Sequence, residues 1–537
     1  MAKRRFRKHK SYSNKARENS RRRYFSKDIP LFEELAAQFK PVYLAEITEL
    51  APYVEDAEIE EIRNYPFHAY PVDPTLINKT IGCCRVLHNK FVETLYDYLE
   101  RTGYEGGRIT GYKVPLYPEV KRLIGKEYMN EPDSTAYVNV RENFENAIKR
   151  YNETFASKGQ YTKRALRRVK NGGAPLSFRD LKGMPKFHAK FQATDSYKSN
   201  AVNGNILLEA KPDTSGNAPD IYAKAHGNAK DFKKTRALLK LPKMEAFEVL
   251  LHRPLPRNSK IKSVVVTREK WGEYTVTLSL SYKRTLTRIK NTDEARAAVR
   301  AYLEEHLDLA LGLDYSQTGG CVGSGGDGTR NTLDLLIAAA FGKRYRQMEA
   351  RLAHLNRIKR KKRGPDHKNG VDASISYFKL QRRIAKLSAR IARRRKDALD
   401  KLSRVLTDAF LLVAVEDIDL RAMAQGLKLA KNLLDNGFGE FRGMLEYKLA
   451  EQGKLYVVVD KWFASSQKCH ACGGINPETT DLRVRHVVCK HCGAEYGRDE
   501  NAALNIRDEG IRVFGSDGLF QKQVSARATA TKYKKHA

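Results

Sequence analysis

Leu309-Ala310-Leu311-Gly312-Leu313-Asp314 and Leu411-Leu412-Val413-Ala414-Val415-Glu416 are the two stretches on which the fold turns. Each is a short, unbroken apolar run that ends on a carboxylate. Without polar alternation, such runs predict strands buried on both faces, as in sheets covered by helices. Open α/β sheets place ligands at the carboxyl ends of their strands, so two neighbouring strands of this kind would converge on one site. Asp308 and Asp417 are the nearby acids most easily confused with the pair.

A third acid, Asp499, lies in Gly497-Arg498-Asp499-Glu500-Asn501-Ala502-Ala503-Leu504-Asn505-Ile506, where a short polar approach leads into a helical pattern. Its carboxylate is expected in the first helical turn. Clustered carboxylates repel one another unless divalent cations neutralise them. Two Mg²⁺ ions ~4 Å apart would stabilise the attacking and leaving oxygens of a phosphodiester displacement. Taken singly, each acid fits a cap or a rim as well. Asp314, Glu416 and Asp499 become the expected catalytic, magnesium-binding set only in combination with a second motif.

That motif is Cys469-His470-Ala471-Cys472 with Cys489-Lys490-His491-Cys492, a C-x2-C-x16-C-x2-C spacing. Two such knuckles share one tetrahedral zinc ion. Gly473, Gly474 and Gly493 supply the tight turns they need. Cys469, Cys472, Cys489 and Cys492 are therefore the expected structural Zn²⁺ ligands, and four thiolates leave His470 and His491 spare. Cys83 and Cys84 stand apart and read as small packing residues.

The length of 537 residues excludes a lone small domain, and 99 Lys and Arg against 63 Asp and Glu leave a net charge of +36. A polyanionic partner follows, nucleic acid first, because each base that neutralises a phosphate releases a condensed counterion. No apolar run reaches the ~18 residues of a membrane span. A cytoplasmic protein without membrane attachment is expected, its cysteine usage fitting a reducing compartment.

Charge is unevenly spread. Residues 1–27 hold 12 Lys or Arg and one acid, and residues 28–62 hold 10 acids and one base. The first reads as a basic arm, disordered or phosphate-binding. The second reads as an acidic helical segment that could mask basic surface. Helical spacing marks Phe67 to about Val169, with Ile81, Cys84, Val86, Leu87, Phe91, Leu95 and Leu99 on one face. Between Ser157 and Asn200, 11 bases interleave with Tyr161, Phe178, Phe187, Phe191 and Tyr197, either an RNA surface or core rings with a charged rim. Residues 236–285 turn to β-rich runs about Lys270-Trp271-Gly272, which predict antiparallel strands of a small barrel. Residues 341–404 carry 22 Lys or Arg and five acids on two helical patterns broken at Arg363-Gly364-Pro365, a hairpin suited to a nucleic-acid backbone.

In this order the elements resemble one superfamily, the RNA-guided TnpB nucleases of transposons and the miniature type V CRISPR effectors. Gly312-Leu313-Asp314 resembles the first RuvC motif, Val415-Glu416-Asp417-Ile418 the second and Arg498 to Ile506 the third. Ser465-Ser466-Gln467-Lys468-Cys469 with its paired knuckles resembles the target-nucleic-acid-binding zinc ribbon. Thr80-Ile81-Gly82-Cys83-Cys84-Arg85-Val86-Leu87-His88-Asn89 is similar to the first recognition helix, and Met184-Pro185-Lys186-Phe187-His188 to a PxFK-like segment. The likeness spans about Pro66 to Ile511.

The resemblance implies a multidomain α+β protein. Residues 63–75 and 236–290 would form a wedge-type β-barrel, with a helical recognition region and linker inserted at 76–235. Residues 306–461 and 498–511 would form an RNase H-like RuvC α/β domain, with a zinc ribbon inserted at 462–497. Residues 1–62 precede these parts as arm and acidic segment, and 512–537 follow as a basic tail. Guide RNA and target double-stranded DNA are the implied partners, with monomer and homodimer both open. The implied activity is RNA-guided DNA cleavage after reading of a flanking motif. A guided binder without cleavage would be expected to lack one of the acids, and an unguided zinc-ribbon protein leaves all three unexplained.

Overall fold

In the computed structural model, residues 31–189, 195–212, 215–223, 232–314, 322–324, 329–365, 371–417, 437–481 and 484–514 are described. The basic arm at 1–27, Phe191, Ile418 and most of the C-terminal tail lie outside them. The chain forms two units, one of residues 60–284 and one of residues 1–59 with 285–537.

After a short helix α1 (Phe32–Ala36), strand β1 (Val54–Tyr70) leads into the first of these units. Four helices follow: α2 (Thr75–Arg101), α3 (Tyr117–Ile124), α4 (Ser134–Thr154) and α5 (Lys163–Lys170). Then come β2 (Asp195–Asn200), β3 (Leu207–Ala210), β4 (Thr235–Lys240), β5 (Phe247–Leu251), β6 (Lys260–Arg268) and β7 (Tyr274–Ile289). The apolar stripe of α2 is buried as its spacing predicts, including Ile81, Cys84, Leu87, Phe91, Leu95 and Leu99. Cys83 and Cys84 are core residues, and burial pushes the Cys84 thiol up to about 12.

The strands form one seven-stranded sheet in the order β2-β6-β7-β1-β5-β4-β3. Among the described residues its end strands β2 and β3 do not pair with each other, and the expected barrel takes the form of a curled antiparallel half-barrel. Strands β2 and β3 come from within the stretch read as helical region and linker. Their inward positions, among them Tyr197 and Ser199, are short and polar-interrupted, which hides the period of two. Tyr197 belongs to the core, Phe178 packs against it, and Phe187 is half exposed with its edge on Tyr96. The rings among the bases at 157–200 thus serve packing more than an open surface.

The acidic segment also departs from expectation. After two short 3-10 turns at Leu44–Glu46 and Thr48–Tyr53, its last residues are not helical but enter β1, where acids meet the bases of β7. Glu61 pairs with Arg284 and with Arg63, and Glu60 accepts from Ser281. Nearer the start of β1, Glu55 pairs with Arg288 at 2.7 Å and Asp56 accepts from Thr287 at 2.6 Å. Cross-strand charge pairs line the first half of β1, and buried Tyr65, Phe67 and Ala69 alternate along its second. Residues before it are structural: Leu35, Leu44, Ile47 and Leu50 are buried in the cores of the other unit.

That unit continues with α6 (Asp293–Glu305), β8 (Ala310–Asp314), β9 (Val322–Ser324), α7 (Thr329–Arg360), α8 (Ile375–Ala409) and β10 (Leu412–Glu416). It closes with α9 (Phe438–Glu451), β11 (Leu455–Val459), β12 (His486–Val488), β13 (Glu495–Gly497) and α10 (Arg498–Phe514). The order β11-β10-β8-β9 defines a four-stranded sheet in which β11, β10 and β8 are parallel and β9 is antiparallel. Helices cover both faces. Leu311, Leu313, Val413 and Val415 pack with Leu336, Leu402, Leu406 and Leu445 from α7, α8 and α9. Ala310, Leu412, Ala414, Leu455, Val457 and Val459 pack with Val299 and Leu303 of α6 and Ile506, Ile511 and Phe514 of α10.

Helices α7 and α8 pack together as the expected hairpin, with Leu380 and Ile391 buried and Ser374 capping α8 through the Tyr377 N–H. At the far end of α8, the buried Lys454 ammonium donates to the carbonyls of Thr407 and Asp408 at 2.6 and 2.7 Å. These are last-turn acceptors that the helix itself cannot satisfy. Burial pulls this lysine down to about 8, against the attraction of Asp408. No helix among the described residues is long and apolar enough to cross a membrane.

Candidate active site and metal centre

Parallel pairing sets Leu412, Val413, Ala414 and Val415 opposite Ala310, Leu311, Gly312 and Leu313. The next residues in register are Glu416 and Asp314, each at the carboxyl end of its strand. Alternation places both on the α10 face, because Gly312 and Ala414 contact that helix while Leu313 and Val415 face the other way.

The approach of α10 is at backbone distance. A Cβ on Gly312 would lie 1.9 Å from the Ala503 carbonyl oxygen, and one on Gly510 would lie 2.4 Å from the Ala414 Cβ. Asp499 occupies the first turn of the helix, as expected, one turn before Ala503. So Asp314 and Glu416 lie on the sheet face that α10 covers, and Asp499 stands at the start of that helix. Asp308 is exposed in the turn before β8, at the opposite end of the strand from Asp314. Asp417, just past β10, is exposed and faces Arg442 of α9 at 3.8 Å.

The electrostatics of the acids differ. Glu416 is largely buried, and loss of solvent raises its pKa above the usual carboxylate range, with Arg442 opposing. Glu446 on α9 is raised by the same two influences. Asp499 instead receives Nη1 of Arg485 at 3.0 and 3.1 Å on its two oxygens. Neither Arg485 nor the Arg442–Glu446 pair was legible in the sequence. Arg485 stands in Arg483-Val484-Arg485-His486 with nothing to set it apart, and α9 carries no motif.

The knuckles form a compact centre between β11 and α10. The ligand atoms of Cys469, Cys472, Cys489 and Cys492 all lie within 4.8 Å of one another, and the pairs Cys469–Cys492 and Cys472–Cys489 are 3.9 and 3.6 Å apart at sulfur. Among the described residues it is the one gathering of three or more His, Cys, Asp or Glu side chains this tight; the three acids are set wider. None of the four cysteines is in a disulfide. Each knuckle is a tight turn: the Gly473 N–H donates to the Cys469 carbonyl at 2.8 Å, and the Gly493 N–H to the Cys489 carbonyl at 2.9 Å. Gly473 and Gly493 have φ of 74° and 73°, left-handed values that favour glycine. Burial works against the Cys489 thiolate, but N–H groups of His491 and Cys492 and the Asn476 amide bring the thiol down to about 6. Four soft sulfur donors in this arrangement fit a zinc ion, and carboxylate oxygens fit magnesium.

Two asparagines fasten the first knuckle to α10. Asn501 and Asn505, four residues apart and buried, each donate to the Lys468 carbonyl at 2.7 Å. Asn501 also accepts the His470 N–H at 2.8 Å, and Asn505 also donates to the Ser465 carbonyl at 2.8 Å. His470 is thus occupied with Asp508, at 2.7 Å, and His491 with the Ile475 carbonyl, at 3.1 Å. Both stay outside the sulfur cluster.

Two family models match this same unit. The Cas12f1-like TNB domain covers residues 438–506, and the OrfB IS605 family, described as a probable transposase, covers residues 310–426. These two stretches are similar to parts of the TnpB and type V effector superfamily. A Streptomyces pristinaespiralis protein named for RNA-guided DNA endonuclease activity is 33% identical over 285 residues, 53% of this chain and 61% of that one. A Mycobacterium tuberculosis protein of the same naming is 29% identical over 192 residues, 34% of this chain and 40% of the relative. The match thus spans about three fifths of the first relative's length. A Cas12f1 chain solved with sgRNA and target DNA overlaps 83% of this chain and 99% of its own length, at 13% identity and a TM-score of 0.27. Asp314, Glu416 and Asp499 lie in the three stretches that resemble RuvC motifs in sequence.

Proposed function

We propose that the protein is an RNA-guided DNA endonuclease in which Asp314, Glu416 and Asp499 hold two magnesium ions and Cys469, Cys472, Cys489 and Cys492 hold one structural zinc ion. The observation that carries this reading is the paired ending of β8 and β10 on Asp314 and Glu416, on the sheet face that α10 covers. The relatives' names support the activity and the nucleic-acid partners. Bound magnesium supplies charge neutralisation for the attacking and leaving oxygens of a phosphodiester. The chain's own residues do the rest. The burial that raises Glu416 also keeps bulk water from that carboxylate, and Arg485 brings a guanidinium suited to a phosphate oxygen beside Asp499. The closed thiolate set leaves no coordination position for water, which makes the zinc structural. Base pairing to the guide supplies sequence choice, and the N-terminal half reads the flanking motif.

Protein carrying its copurified RNA should cut duplex DNA that matches the guide in the presence of Mg²⁺. Asp314→Ala, Glu416→Ala or Asp499→Ala should lower cleavage by at least about 10³-fold while guided binding and zinc content stay unchanged. Gel shifts, cleavage assays and elemental analysis on the same samples measure all three. Full activity in Asp314→Ala would overturn the site. Guided binding with no cleavage by the wild-type protein would replace the nuclease with a guided repressor.

A further inference from the structure

The chain contains two tryptophans. Trp271 is buried at 7% exposure, whereas Trp462 is 81% exposed. Single exposed apolar residues are common, so exposure alone means little. What distinguishes Trp462 is where it stands and how firmly its backbone is held.

Strand β11 ends at Val459, the register partner of Glu416, and the Asp417 N–H donates to the Val459 carbonyl at 3.0 Å. Trp462 follows three residues later, and three residues of chain reach at most about 11 Å. The indole is therefore at the acid end of the sheet. Asp460 makes the turn rigid: its carboxylate accepts the Trp462 N–H at 2.8 Å, and its carbonyl accepts the Phe463 N–H at 3.0 Å. Phe463 packs on the core, so one ring of the neighbouring pair anchors the turn and the other is presented outward. The Lys461 ammonium lies 4.8 Å from the indole centroid, a cation placed for the phosphate beside a stacked base.

We propose that Trp462 is a stacking platform for an unpaired base of the DNA strand delivered to Asp314 and Glu416. This rests on the nuclease reading and adds a base subsite to it. A π-face accepts any base, so the platform would hold the strand in place without choosing its sequence. Chemistry at a phosphate needs the strand fixed on either side of it, and an indole beside the acids provides one of those fixed points.

Because Trp271 is buried, Trp462 is the solvent-facing emitter, and its fluorescence reports the subsite directly. RNA-loaded full-length protein with Asp314→Ala, which prevents turnover, is titrated with matched duplex DNA. Quenching of the solvent-exposed emission is expected on DNA addition, little on RNA loading alone, and no DNA-dependent change in the Trp462→Ala version. In the otherwise wild-type protein, Trp462→Ala should slow cleavage about tenfold. Trp462→Phe, which keeps an aromatic face, should retain most of the rate, and zinc content in both variants checks the fold. Quenching by RNA alone would place the ring on the guide and overturn the proposal. So would unchanged cleavage in Trp462→Ala by a protein whose wild type cuts. If the wild type fails to cut but duplex quenching remains, the nuclease reading falls and the stacking site stands.

Discussion

The cysteine centre and the acid site occupy neighbouring parts of one unit, yet they are built in opposite ways. Four sulfurs come together from two tight turns 16 residues apart, held by N–H groups of their own loops. Three carboxylates come from two strands and a helix far apart in sequence, and Asp499 is bound to an arginine of the ribbon. A metal site made of local turns needs little beyond its own loop. A site made of long-range pairing depends on every contact that sets one element against another.

Three perturbations bear on that difference. Cys489→Ser should have the largest effect, because structural zinc contributes about 10–16 kcal/mol to small zinc modules. Zinc should fall from one ion per chain to none, with hydrogen exchange rising across residues 465–497. Cleavage should be lost too, since Asn501, Asn505 and Arg485 tie the ribbon to the helix of Asp499. A zinc-free protein that still cuts would uncouple the two sites.

Gly312→Ala tests the reverse dependence. Its methyl would sit against the Ala503 carbonyl, so α10 must move off β8 at a cost of about 3 kcal/mol or more. A lowered melting temperature and weak cleavage are expected with the zinc stoichiometry intact. Loss of zinc in this variant would mean that the cysteine centre also relies on long-range packing.

The smallest effect comes from a group remote from both proposed metal sites. Between about pH 8 and pH 10.5 the unfolded chain keeps a proton on Lys454 that the folded chain has lost, so this residue adds stability as pH rises through that window. Below it both states are charged and the contribution is constant. Lys454→Met lacks the proton, so its stability relative to wild type should fall by roughly 1–3 kcal/mol from pH 8 to pH 10, measured by denaturant titration. Activity and metal content should not follow.

The same contrast explains what was legible in the sequence. The cysteines were readable from spacing alone because their geometry is local. Strands β8 and β10 were readable because burial on both faces leaves an apolar run. The first half of strand β1 was not, since its acids Glu55 and Glu61 meet Arg288 and Arg284 more than 200 residues later. Arg485 was missed for the same reason: an arginine takes its role from the carboxylate it reaches, and Asp499 lies beyond the second knuckle. Asn501 and Asn505 stood in the quoted motif, but their partners are backbone carbonyls, which no residue type marks.

Strand β13 ends at Gly497 and α10 begins at Arg498, whose N–H still donates to the Arg485 carbonyl at 2.9 Å. No linker separates the hairpin from the helix, and this has a temporal consequence. During synthesis Asp314 leaves the ribosome ahead of Asp499 by roughly nine to forty seconds and Glu416 by roughly four to seventeen, at about 5–20 residues per second. The helix that completes the set cannot settle until the hairpin before it has closed. If the proposed nuclease reading holds, a half-made chain would lack one of its three acids until the last folding step, beside the polynucleotides of its own translation.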